Sequence, residues 1–456
     1  MQPSPSVPRA AEPPLLAPAP PSPKSIAPKP RTLPLTLRAY RAVGYLAPPF
    51  LAAFLRKRQK RGKEDATRQN ERWGRPTLPR PKGVLVWLHA ASVGETMSIL
   101  PLIARITAAG RKVLLTTGTV TSAELAAARL PEGALHQFVP LDLPGAARRF
   151  IAHWRPDLAI FCESELWPNL MLETGRQGIP LGIVNGRMSV RSARSWQRLA
   201  GTAKALLGGL AFCLAQSEAD AARYAALGAP ARHAGNIKFD APPLPLDTGD
   251  LDRLWKAIGD RPVFLAASTH PGEEELVLEA AARIRDAEPE VLTIIVPRHP
   301  ARGEDIAALC AAGGLSPAIR SRGEAPDDLT TLYLADTLGE LGLFYSLATV
   351  AFIGGSLVPT GGHNPIEPAK LGAPMLHGPE VHNFKDIFAA FDAAEAAVAV
   401  ADAGHLAREA CRLIGDIAAR AELATQARAI ASANEGALDA TLATLDALLP
   451  APVVVR

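Results

Sequence analysis

Cysteine is scarce in this chain of 456 residues. The four present, Cys162, Cys213, Cys310 and Cys411, are far apart and form no CxxC pair. That excludes a disulfide-stapled scaffold and a zinc site on paired cysteines, and it reads as small buried hydrophobes in a reducing compartment. Neither GxxxxGK[ST] nor GxGxxG occurs, which argues against P-loop ATPases and dehydrogenases. There is no HExxH, and the only Asp-x-Asp, Asp250–Leu251–Asp252, lies in an inter-domain break, so little supports a bound metal. Aromatic residues make up 5% of the chain. No period of 20–50 residues repeats, so the chain is not a solenoid.

Acid is nearly absent at the front. Residues 1–34 hold 12 of the 42 prolines and one carboxylate, Glu12. Such a segment cannot build a packed core and is expected to be a disordered Pro-rich tail. The net charge of +4 conceals a division: residues 1–80 hold 16 Lys+Arg against 4 Asp+Glu, leaving residues 81–456 at −8. A basic front on an acidic body points to an anionic surface near the N-terminus and away from nucleic acid.

Ala42–Leu55 carries no charge, with Tyr40, Tyr45, Phe50 and Phe54 interspersed. Arg56, Lys57, Arg58, Lys60, Arg61 and Lys63 follow at once. The fourteen uncharged residues fall short of the ~20 a spanning helix needs, and Pro48–Pro49 should kink them. Residues 35–63 are therefore expected to be a membrane-associating amphipathic and basic segment on anionic lipid, with the body on the cytoplasmic side. The alternative is an amphipathic helix packed on its own domain.

From residue 83, short apolar runs alternate with helical patterns. The expected strands are Val84–Leu88, Val113–Thr117, Leu158–Cys162, Leu181–Val184 and Leu210–Ala215, then Val263–Ala267, Leu292–Val296, Thr331–Leu334, Val350–Ile353 and Met375–Leu376. The alternation predicts an α/β fold of two Rossmann-like domains with parallel sheets facing a cleft. Pro242, Pro243 and Pro245 mark the break, giving expected domains at 64–240 and 241–456.

Chemistry gathers at the expected strand ends. Ser92–Val93–Gly94–Glu95 follows the first strand, and Glu163–Ser164–Glu165–Leu166–Trp167–Pro168–Asn169 follows another. The carboxylates are either an acid/base set or helix caps paired with Arg187. In the second half, Ser268–Thr269–His270–Pro271–Gly272–Glu273, Pro297–Arg298–His299, Gly354–Gly355–Ser356 and Gly361–Gly362–His363–Asn364–Pro365–Ile366–Glu367 suggest a phosphate-binding nucleotide site, in which glycine amides approach the ligand.

Together with Asn185–Gly186–Arg187 and Gly235–Asn236–Ile237–Lys238–Phe239–Asp240, these motifs, in this order, closely resemble the bacterial lipid A 3-deoxy-D-manno-octulosonic acid (Kdo) transferases over about residues 35–430. The resemblance implies a GT-B glycosyltransferase, inverting and metal-independent, that needs no cofactor. Its donor is CMP-Kdo, and its acceptor is a lipid A precursor (lipid IVA) at the cytoplasmic face of the inner membrane. It implies Glu95 as general base and Glu163 as the second functional carboxylate. CMP contacts carry over to Pro297, Arg298, Gly339, Glu340, Leu341, Asn364, Pro365, Ile366 and Glu367. Arg187 and Lys238 are candidates for the cation facing the donor's carboxylate. Ser164, Gly186 and Met188 depart from the family's usual Thr, Ala and Leu. The rival functions are a GT-B enzyme using a UDP-sugar and a non-catalytic, membrane-tethered nucleotide-binding module.

Overall fold

The computed structural model describes residues 33–450, so the expectation for the Pro-rich tail lies, but for its last two residues, outside the described residues. Two sheets of seven parallel strands form the body. The first comprises β1 (Leu85–His89), β2 (Lys112–Thr117), β3 (Ala134–Phe138), β4 (Leu158–Cys162), β5 (Leu181–Gly186), β6 (Phe212–Ala215) and β7 (Ala231–His233), in the order β3-β2-β1-β4-β5-β6-β7. The second comprises β8 (Val263–Thr269), β9 (Leu292–Pro297), β10 (Ala318–Ile319), β11 (Leu332–Leu334), β12 (Val350–Ile353), β13 (Met375–His377) and β14 (Val398–Ala399), in the order β10-β11-β9-β8-β12-β13-β14.

Central strands buried on both faces read as unbroken apolar runs, which is why Leu85–Val86–Trp87–Leu88 and Val263–Phe264–Leu265–Ala266–Ala267 are legible as strands. The order reverses between β1 and β4 in one sheet and between β8 and β12 in the other. At such a switch point the two crossovers leave on opposite faces and open a crevice at the strands' carboxyl ends.

The front segment is a pair of helices, Leu35–Leu46 and Pro48–Gln59, broken at Ala47 ahead of the two prolines. It is no free arm. Leu37 is buried in the N-terminal core, and Gly44 meets the Pro144 ring so closely that a Cβ there would lie 2.8 Å from it. Arg41 pairs with Glu173 at 2.9 Å, and the Tyr40 hydroxyl donates to Asp142 at 2.9 Å. The opposite surface leaves Leu35, Val43, Tyr45, Leu46, Phe50 and Phe54 exposed. The alternative reading, a helix packed on its own domain, therefore holds for one side of the segment, and the other side is a bare apolar face. No helix among the described residues is long and apolar enough to cross a membrane.

One boundary needs correcting. The division at 241–456 gives the chain's end to the second domain, but the helix Ala437–Asp446 returns to the first. Ala437, Leu438, Leu445 and Leu449 join the core formed by β1, β2 and the helix Val93–Ala108. Asp240 caps this return, accepting from the backbone N–H of Gly436 at 2.6 Å and of Leu438 at 2.8 Å. Arg111 pairs with Asp446. The physical reason is that one face of the first sheet needs an apolar cover that its own crossovers do not complete. Cys162, Cys213 and Cys310 are buried, and burial raises each thiol, Cys213 to about 12 and Cys310 to about 11, so they are inert packing groups.

Replacing Leu445 by Ala removes a fully buried side chain from the N-terminal core. It should cost about 2–5 kcal/mol of that domain's stability. Urea titration with a probe in the first domain, such as Trp87 fluorescence, checks this; an unchanged midpoint would show the return helix to be dispensable.

Candidate active site

Ser92 stands at the N-cap of the helix Val93–Ala108, its hydroxyl accepting from the N–H of Glu95. Glu95 reaches back in the reciprocal way: Oε2 accepts from the N–H of Ala91 at 2.7 Å and Oε1 from the Ser92 hydroxyl at 3.0 Å. This is a variant of the capping box in which the residue before the N-cap donates to the carboxylate, and it fixes that carboxylate on the rim of the β1/β4 crevice. Burial lifts Glu95 above the usual carboxylate range, the charges of Glu163 and Glu165 add to the rise, and the bonds from Ala91 and Ser92 only partly offset it.

Glu163 follows β4 with a left-handed backbone, φ +54°. Three bonds hold that turn: Glu163 N–H to Val184 O (3.1 Å), Arg187 N–H to Glu163 O (3.4 Å) and the Tyr224 hydroxyl to Glu163 O (3.0 Å). Its carboxylate lies 3.0 Å from Lys238 Nζ. Lys238 is placed in turn by Asn185, whose side-chain oxygen accepts from the neighbouring Ile237 N–H at 3.1 Å. Three separate motifs, Asn185–Arg187, Gly235–Asp240 and Glu163–Asn169, thus converge on one ion pair. Lys238 is already paired, and Arg187 reaches across to Asp386 of the second domain at 2.6 Å.

Sequence reasoning passed over two groups here. His89, fully buried at the end of β1, has Nδ1 at 3.1 Å from Thr116 O and 3.0 Å from Thr116 Oγ1. A carbonyl oxygen only accepts, so Nδ1 carries a proton and Nε2 faces Glu165 Oε2 at 3.8 Å. Trp167 Nε1 donates to the same oxygen at 2.7 Å. Burial pushes Glu165 up, but the His89 and Trp167 contacts outweigh it and hold this carboxyl below its ordinary range. The three carboxylates therefore differ in kind: Glu163 is ion-paired, Glu165 is tied to His89 and Trp167, and Glu95 is held above the range.

Across the cleft, the β8/β12 crevice carries basic groups. Arg298 follows Pro297 at the end of β9, is exposed, and has no ion-pair partner among the described residues. His270, His299 and His363 surround the crevice. Burial pushes His363 down to about 3, with His270, Arg298 and His299 contributing, and it lowers His270 as well. Glu367 opens the helix Ile366–Leu371. It is bonded by Asn364 Nδ2 at 3.2 Å and raised by burial, against the bond from Asn364 and the charge of Arg298. Glu340 is placed differently: Arg320 holds it in a two-pronged ion pair with Nε–Oε2 3.1 Å and Nη2–Oε1 2.6 Å. It has no contact with the Arg298 group.

The glycine loop departs from expectation. Glu273, fully buried, accepts from the N–H groups of Gly355 (2.6 Å), Ser356 (3.0 Å) and Leu357 (3.0 Å). The amides expected to meet a ligand phosphate are filled by an internal carboxylate.

The sequence family described as 3-deoxy-D-manno-octulosonic-acid transferase (kdotransferase) matches residues 67–241. The 3-deoxy-D-manno-octulosonic acid transferase of Bordetella pertussis is 38% identical over 81% of this chain and 88% of its own. That of Haemophilus influenzae is 35% identical over 81% and 88%. The chain belongs to the Kdo transferase family. As a Kdo transferase, it is a glycosyltransferase on a GT-B fold. Its architecture matches the solved Acinetobacter baumannii MurG with a TM-score of 0.50 and 15% identity, covering 79% of this chain and 100% of that one.

Because the folded protein holds the Glu95 proton more tightly than the unfolded chain does, Glu95 favours folding below its unfolded pKa. That contribution is lost as pH rises through the unfolded value, near about 4, towards the raised folded one. Glu95→Gln should therefore be at least as stable as wild type at pH 7, with the difference closing below about pH 4. Urea melts at the two pH values test this; a Gln variant distinctly less stable at pH 7 would mean that the carboxylate is a structural cap.

Proposed function

We propose that this Kdo transferase moves Kdo from CMP-Kdo to a hydroxyl of a phosphorylated lipid A precursor, lipid IVA, by a single inverting displacement, as a step of lipopolysaccharide biosynthesis. The observation that carries the reading is the opposition of two differently charged rims. A half-buried carboxylate of raised pKa sits on one, and Arg298 with three histidines on the other. Glu95 takes the acceptor's proton, and its raised pKa brings it closer to the working pH of a general base. The acceptor oxygen then attacks the anomeric carbon as the bond to phosphate breaks and CMP leaves. Arg298 is the open guanidinium fork for that phosphate. Glu367 and Asn364 suit the ribose hydroxyls. Glu163 and Lys238, as an ion pair, shape the acceptor side beside Glu95.

A lipid acceptor also accounts for the apolar surfaces. Val93 and Met97, one turn apart on the helix that carries Glu95, are exposed. So is the apolar face of the two front helices, followed by the basic cluster. Such a face buried in the acyl boundary, with each Lys or Arg near anionic head groups adding about 1 kcal/mol, holds the enzyme on the cytoplasmic side of the inner membrane.

Two outcomes follow. Glu95→Ala should lower kcat by about 10²-fold or more while CMP still binds; the assay uses CMP-Kdo and tetra-acylated precursor, with products counted by mass. Thermal protection by UDP-sugars and not by CMP-Kdo would overturn the donor assignment. Separately, replacing Tyr45, Phe50 and Phe54 with Ser should abolish most co-sedimentation with anionic vesicles at physiological salt while leaving CMP binding intact; unchanged sedimentation would refute the front helices as the membrane face.

A further inference from the structure

The two histidines at the second switch point touch. His270 follows β8 and His363 follows β12, the two strands between which the sheet order reverses. Their Nε2 atoms are 2.8 Å apart and their ring planes differ by 7°. At hydrogen-bond distance one Nε2 must donate and the other accept, since two lone pairs would repel and two N–H groups would collide. Each neutral ring carries one N–H, so the uncharged pair holds two protons, one between the rings and one on the accepting ring's Nδ1, and has room for one more on the donating ring's Nδ1, a titration that belongs to the pair and not to either ring.

Gly355 lies directly against both rings, at φ +66°. A Cβ there would meet His363 Cδ2 at 3.2 Å and His270 Cδ2 at 3.3 Å. Its N–H is one of the three held by Glu273, whose Oε2 also accepts from the His270 N–H at 3.3 Å. One buried carboxylate thus fixes the loop under the rings and the backbone of one of them. The charged groups facing the pair are Arg298, His299 and Arg302 from the end of β9, and Glu273 and Glu274 from the helix that follows β8. His382 lies beyond Gly361. Glu274 is neutralised by Arg302 at 2.5 Å, and Glu273 is turned towards its backbone donors, with burial raising its pKa against their bonds. With no anion bound, the surroundings favour the pair's uncharged state, with one N–H per ring. A phosphate arriving at Arg298 reverses that balance.

We propose that His270 and His363 form a proton-sharing pair that gains one further proton, and with it a positive charge, when the donor nucleotide binds and passes a proton to the phosphate as CMP leaves. This rests on the donor assignment above. In the transfer, the bond from the sugar's anomeric carbon to the phosphate oxygen breaks with both electrons on that oxygen. One proton of the cationic pair moves to it, leaving the pair uncharged. The acceptor oxygen forms the new bond to the anomeric carbon, and its proton goes to Glu95. Glu95 then loses a proton to solvent and the pair regains one, so the cycle closes. Arg298 and the protonated pair together supply two positive charges to a phosphate that ends with two negative charges or the added proton.

The test is calorimetry of CMP binding to the full chain at pH 7.5, in buffers of different ionisation enthalpy. Free CMP is then almost wholly dianionic, its second phosphate pKa being near about 6, so it brings no proton of its own, and any uptake by the phosphate itself survives replacement of the histidines. Wild type should take up about half to one proton per CMP bound. His363→Gln and His270→Gln, on different loops and each keeping an amide donor, should bind CMP yet take up almost none, with kcat lower by about 10²-fold or more. Zero uptake by wild type, or uptake unchanged in both variants, overturns the pair. No CMP binding by wild type overturns the donor assignment instead.

Discussion

A parallel strand cannot be joined to its neighbour by a tight turn; the chain must leave the sheet, cross over and return. All fourteen strands here obey that constraint. Every strand of one sheet therefore ends at the same edge, and each loop carrying chemistry leaves from that edge. The order reversals between β1 and β4 and between β8 and β12 then open one crevice in each sheet. In the first, His89 faces Glu165; in the second, His270 meets His363. Both contacts bridge the two loops that leave on opposite sides. The site is thus a by-product of topology before it is a selection of residues.

Electrostatic division between the two rims follows from what fills the backbone donors. On the first rim, the N–H groups of a helix start are taken up by Ser92 and Glu95 themselves. On the second, Glu273 occupies the amides of the glycine loop. Each carboxylate is satisfied locally, yet only Glu95 remains open to the cleft. The first rim consequently presents a carboxylate to the cleft, and the second presents guanidinium and imidazole.

The strands legible in the sequence are those buried on both faces, whose side chains are apolar without interruption. The ones passed over, β3, β7, β10 and β14, are the four edges of the two sheets. An edge strand carries polar residues, as in Ala134–Leu135–His136–Gln137–Phe138 and Ala231–Arg232–His233, so its period dissolves. Among site residues, Glu95 was legible because it opens a helix directly after a strand, within the motif Ser92–Val93–Gly94–Glu95 that carries the family resemblance. The partnership of Lys238 with Glu163 was not, because it depends on a long-range placement by Asn185. The glycine loop misled for the same reason: nothing local in Gly354–Gly355–Ser356 announces that Glu273, some eighty residues earlier, takes its amides.

The helix Ala437–Asp446 completes the first core, although about 200 residues separate it from Asp240, the end of the first domain, which caps it. A ribosome adding roughly 5–20 residues per second needs about 10–40 s to cover that distance. Throughout that interval the first domain exists as a nascent unit with an uncovered apolar flank, the socket of Leu438, Leu445 and Leu449. Maturation of the first domain is therefore timed by synthesis of the second, and a chain cut short in its last helix damages the domain that was made first.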